Sequence, residues 1–147
     1  MKLIFRNIYS EGWKEYMHDA ISYHAVKDKF DGYPAGDSDF EEEKMLGIYL
    51  YELRMIDVVK SILHKLKNPL AKTGLVGSES WYAEIIDDKV KMQFAFASED
   101  PEDEDYQPIL FLPRKEVAYA MGKWLAFLQR DIDPNYSEII DTEEAYR

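Results

Sequence analysis

The sequence predicts an α+β domain, with a small, mainly antiparallel sheet packed on a long central helix and a buried C-terminal helix. Three observations lead there. Residues 81–86 and 90–97 alternate apolar and polar side chains around Asp87-Asp88-Lys89, the pattern of a hairpin with half-buried arms. Residues 45–66 keep helical apolar spacing over their whole length. Val117, Met121, Trp124, Leu125 and Leu128 then cover most sides of a later helix, which implies deep burial. At 147 residues the chain reads as one domain, 1–147, whose acidic end, 131–147, shows only weak structure.

Taken in order, Lys2 to Ile8 is rich in β-formers and reads as the first strand. Ser10 is placed to cap a helix carrying Trp13, Tyr16, Met17, Ala20, Ile21 and His24 at i, i+3, i+4 spacing. Breakers from Asp31 to Gly36 would end it near Phe30. Ser38-Asp39-Phe40-Glu41 is a capping box, in which serine and glutamate each satisfy an orphan N–H of the next helix. That helix runs to about Lys67, since Pro69 excludes its predecessor from helical geometry. Glu41, Glu42 and Glu43 at its start and Lys60, Lys65 and Lys67 at its end suit the helix dipole. Asp57 would pair with Arg54 one turn away. Leu70 to Ser80 is a connector, and Ile109 to Leu112 a further strand. Pro113 fits the first position of the last helix, and Tyr136 to Ile140 an edge strand.

Charge is the strongest compositional signal. Asp and Glu number 29 against 18 Lys and Arg, a net charge of −11. The acids are segregated: clusters at 37–43, 99–105 and 131–144 hold 17 of the 29 and no base, leaving the rest of the chain net positive at +6. An acidic chain repels phosphate backbones, so direct nucleic-acid binding is not expected, although a positive body leaves room for a local basic patch. The absence of cysteine excludes disulfides, thiolate metal sites and a cysteine nucleophile. The N-terminal apolar run is only Leu3-Ile4-Phe5, short of the ~7–15 residues of a signal peptide, and no window approaches the ~20 of a membrane span. The expectation is a cytoplasmic protein without a membrane anchor.

Chemistry is sparse. No phosphate-binding glycine loop, paired-histidine metal motif, calcium loop or nucleophile elbow occurs. His18 and His24 lie six apart, the wrong spacing to share a helix face, and neither catalytic residues nor a metal or cofactor site are assigned. Glu52 interrupts the apolar stripe of the central helix, where a carboxylate needs a partner. Arg6 or Arg54 would serve. In an enzyme, Glu52 would instead work with His18, His24 or a tyrosine in an interhelical pocket. Glu99, Asp100, Glu102, Asp103, Glu104 and Asp105 put six carboxylates within seven residues, a repulsive cost that a cationic partner relieves. Tyr106 beside them, and Trp81 and Tyr82 at the hairpin start, supply the aromatics that anchor interfaces.

Ile109-Leu110-Phe111-Leu112-Pro113, followed by the helix carrying Trp124-Leu125-Ala126-Phe127-Leu128, resembles the closing strand and helix of small acidic bacterial immunity proteins of polymorphic and contact-dependent toxin systems. The resemblance covers about twenty residues. It implies an inhibitor that neutralises a basic, nuclease-like toxin domain by steric and electrostatic occlusion, and it carries over no functional residue. A DNA-mimic inhibitor is a further alternative, and the oligomeric state is left open.

Overall fold

Alternation builds the first sheet. Leu3, Phe5 and Asn7 fall on the buried side of strand β1, Lys2–Ser10, while Ile4, Arg6 and Ile8 face outward. The computed structural model describes residues 1–24 and 40–147. In it β1 is the middle strand of three, with β2, Glu15–Ser22, on one side and β7, Ser137–Asp141, on the other, both antiparallel. The expected helix after Ser10 is therefore a strand. Ser10 does accept an N–H as a cap would, from Trp13 at 3.2 Å, and its carbonyl takes the N–H of Lys14. Only one turn forms, because Lys14 adopts a left-handed φ of 55° that reverses the chain. The rest of that expected helix, the breakers at 31–36 and the Ser38-Asp39 half of the capping box lie outside the described residues.

The long central helix is two helices, α1 (Glu41–Glu52) and α2 (Ile56–Lys67). Neither proline nor glycine marks the break at Leu53-Arg54-Met55. Tertiary hydrogen bonds make it: the Leu53 carbonyl accepts the indole N–H of Trp124 at 2.7 Å, and Arg54 donates to the His18 carbonyl at 2.7 Å while lying over Tyr51. Arg54 is thereby taken from its expected partner, Asp57. Before the break, α1 packs Met45, Leu46, Tyr49 and Leu50 inward. Gly47 faces β2, where a Cβ would come into contact with the Ser22 nitrogen at 3.4 Å. After the break, α2 buries Val59, Ile62 and Leu66 as a narrow stripe.

A second antiparallel sheet has the order β3-β4-β5-β6, from Thr73–Leu75, Trp81–Ile86, Lys89–Phe94 and Leu110–Pro113. The connector thus contains an edge strand, β3. The second hairpin arm ends at Phe94 rather than Ala97, because Ala97 turns back to donate to the Phe94 carbonyl. Asp87, with φ 53°, makes the tight turn between the arms. The centre belongs to the last helix, α3 (Arg114–Leu128), which touches α1, α2, β5 and β6. Its Trp124 and Phe127 meet Phe5 of the first sheet at centroid distances of 5.2 and 5.5 Å. The segment 131–147 is docked: beyond β7, a short 3-10 helix (Thr142–Tyr146) bonds to α3, with Thr142 Oγ1 donating to Glu116 at 2.5 Å and the Tyr146 hydroxyl at 2.8 Å.

Arg114 joins these layers. Its guanidinium spends all five N–H donors on main-chain carbonyls: Leu66, Ala71, Asp87, Lys65 and Asn68, at 2.6–3.0 Å. Three segments meet there: the carboxyl end of α2, the loop after it and the β4–β5 turn. The end carbonyls of a helix lack intrahelical partners, and a cation also suits their partial negative charge. Lysine has three donors on a flexible stem, so Arg114→Lys should destabilise the protein by about 2 kcal/mol in urea unfolding. A change within experimental error would show that water replaces these bonds without loss.

Candidate interaction surface

The acidic run is a built loop. It leaves β5 after Phe94 and returns as β6 at Leu110, closed by a parallel bridge between Ser98 and Tyr106. Side-chain turns fold it: Ser98 Oγ accepts from the Asp100 N–H, Asp100 Oδ1 from Glu102, and Asp103 Oδ1 from Asp105. The Ser98 N–H donates across the loop to the Asp105 carbonyl at 3.0 Å. Glu99, Asp100, Glu102, Asp103, Glu104 and Asp105 are all exposed, and no ion pair joins any of them to a cation among the described residues. Two of the six carboxylates, Asp100 and Asp103, bond within the loop, and all six share its exposed surface.

The named aromatics separate. Tyr106 is 40% exposed on the loop itself, and Tyr82 is 67% exposed on the outer face of the second sheet. Tyr82 lies opposite Gln93, one residue from the end of β5 where the loop begins. Trp81 is buried against Phe94 and belongs to the core. Strand alternation forbids neighbours from sharing a face, a signal already present in the sequence. Residues the sequence reading missed complete the surface: Phe96, Ile109 and Phe111 are exposed where the loop meets the sheet. Phe96 lies two residues past the end of β5, outside the alternation of that arm.

Other polar groups are engaged elsewhere. Glu52 reaches neither arginine nor histidine; its Oε2 accepts from the Ser78 hydroxyl at 2.7 Å and the Ser80 N–H at 3.0 Å, fixing the turn before β4. His18 bonds to the Arg130 carbonyl and sets its ring edge on Phe127; burial, with Arg54 nearby, lowers its pKa despite that bond. Glu43 is the buried acid of α1. It accepts from the Ser22 hydroxyl, the Lys2 N–H, and the backbone N–H and ring Nδ1 of His24, and His24 stacks on Phe40 at 4.1 Å. Serine and histidine thus converge on one carboxylate. Among the described residues no three His, Cys, Asp or Glu side chains are arranged to hold a metal ion, and no helix is long and apolar enough to cross a membrane.

Two antiparallel sheets clasping a buried helix, with an exposed acidic loop between β5 and β6, define an α+β protein. The chain belongs to a family of unknown function, DUF5376, whose model matches residues 1–146. It is similar to three proteins of Pasteurella multocida (strain Pm70). UPF0275 protein PM0504 is 39% identical over 94 residues, 58% of this chain and 63% of that protein. UPF0275 protein PM0505 is 38% identical over 94 residues, 58% and 66%. UPF0275 protein PM0489 is 37% identical over 92 residues, 59% and 67%. The chain thus spans just under two thirds of the first two relatives. No solved structure matches it.

Burial alone would raise the pKa of Glu43, but the bonds from Ser22, Lys2 and His24 outweigh it and hold the carboxyl below its ordinary 4.5. A lowered folded-state pKa adds stability that is complete above the unfolded value and lost as pH falls through the folded one. Glu43→Gln should therefore be less stable than the parent at pH 7, with the gap closing below about pH 4.5. Urea midpoints across that range would test this. A constant gap down to acid unfolding would mean that the loss is steric.

Proposed function

We propose that this chain is a cytoplasmic protein-binding inhibitor, most specifically an immunity protein that covers a basic, nuclease-like toxin domain. The observation that supports this reading is the acidic loop: six exposed carboxylates on a backbone folded by the loop's own turns, beside exposed Tyr82, Phe96, Tyr106 and Phe111. Charge of this kind steers a cationic surface into encounter, and aromatic area excludes water once contact forms. Preorganisation matters, because a loop already folded loses less entropy on binding. The inhibitor acts by occlusion and performs no chemistry on its target. A DNA mimic has less support, since the acids lie in one tight loop rather than along an extended surface.

The test begins with co-expression and co-purification of the product of the adjoining upstream gene. Stopped-flow association with that basic domain should slow about tenfold when Glu102, Asp103, Glu104 and Asp105 are neutralised together to Gln and Asn, and the parent rate should fall as salt rises. An unchanged on-rate would overturn the role of the loop.

A further inference from the structure

A concavity away from the acidic loop has a lining in which cations outnumber acids. A groove of about 910 Å³ runs between the carboxyl end of α2 and the outer face of α3. Its floor is apolar, from Leu66, Pro69, Ala118, Gly122 and Ala126. Lys67, Lys72, Lys115 and Lys123 form its rim, and Arg114, wholly engaged with carbonyls, lies beneath. Asp87 and Asp88 are the acids of the lining, so cations prevail in a chain of net charge −11. Two rim ammonium groups are steadied over rings, Lys115 over Tyr146 at 5.5 Å and Lys123 over Tyr119 at 5.6 Å. Gly122 keeps the floor low: a Cβ there would meet no atom within 4 Å, so nothing in the fold requires glycine at this helical position.

We propose that this groove receives the acidic loop of a second copy of the chain, so that copies associate head to tail. The complement is on the same molecule. Residues 99–105 present six carboxylates to four rim lysines, and Phe96 and Tyr106 offer apolar surface to the floor. A chain cannot serve itself. The groove adjoins the Asp87-Asp88 turn at one end of β5 and the loop leaves the other end, six residues or ~20 Å away. The contact joins two different surfaces, so it builds closed rings, the smallest a reciprocal pair, or open chains. Repulsion between acidic copies keeps it weak and confines it to high protein concentration. A basic partner that takes the loop, as in the function proposed above, would compete with it; the self-association does not rest on that reading.

Sedimentation velocity over a wide concentration range tests the inference on the full chain. The weight-average mass should rise about twofold or more above 17.3 kDa at the highest concentrations. Gly122→Leu, whose Cβ would meet no atom of the fold within 4 Å and whose side chain would occupy the groove, should hold the mass at that of one chain. So should Lys115→Glu with Lys123→Glu, and so should the loop reversed to lysine at Glu102, Asp103, Glu104 and Asp105. Mixing the groove-reversed and loop-reversed chains should restore association, a result that general repulsion cannot produce. A single-chain mass for the parent at every concentration would overturn the proposal. Association that survives loop reversal but is lost in Gly122→Leu would also overturn it, by giving the groove another occupant. Binding of the basic domain is measured separately, so either idea can fail alone.

Discussion

Arg114 is the constraint on which the arrangement depends. A helix that ends against other elements leaves carbonyls that water cannot fully reach, and each must find a donor. Here one side chain supplies donors to the end of α2, to the loop that follows and to the turn of the second sheet. Because Arg114 is also the first residue of α3, the same five bonds set where the central helix begins. A carboxylate would neutralise the guanidinium more strongly, but it would tie down one segment instead of three.

Given that origin, α3 extends into the space between the sheets and organises what lies there. Its Trp124 buries an indole against Phe5 and, with the one donor that ring owns, fixes the carbonyl exposed by the break at Leu53. The break in turn lets α1 lie on β2 while α2 lies along α3. Two directions of packing come from a stretch whose apolar spacing reads as continuous. At the other end of α3, Glu116 gathers Thr142 and Tyr146, so the last residues of the chain close over the helix.

Charge follows the same geometry. Acids at 99–105 fall in the connection between β5 and β6, at one end of the second sheet, and the lysines of α2 and α3 gather at the other. The second sheet therefore has the acidic loop beyond one end of β5 and a lysine-rimmed groove, with Asp87 and Asp88 in its lining, at the other. The acidic loop lies beside exposed aromatics, and the lysine-rimmed groove carries the opposite sign.

Much of this was legible in residue order. The β4–β5 hairpin, β6, α3 and β7 follow from alternation, turn residues and helical spacing, all local properties of the chain. The acidic loop was legible too, since its charges are consecutive. Alternation should also have sent Trp81 inward while Tyr82 stayed outside. Other features were decided by contacts between residues far apart in sequence. Residues 15–22 carry apolar positions that suit a helix as well as a strand, and pairing with β1 chose the strand. Leu53-Arg54-Met55 are good helix formers, and only Trp124 and the His18 carbonyl, brought near by folding, end the helix there. Glu43 looked like an ordinary acid at a helix start until Ser22 and His24 met it, and Glu52 looked unpaired until the Ser78–Ser80 turn reached it. The sequence by itself determined periodicity, turn chemistry and the placement of charge, because each depends on neighbouring residues. Only the tertiary structure decided which polar groups satisfy one another, because a hydrogen-bond partner is defined by position in space.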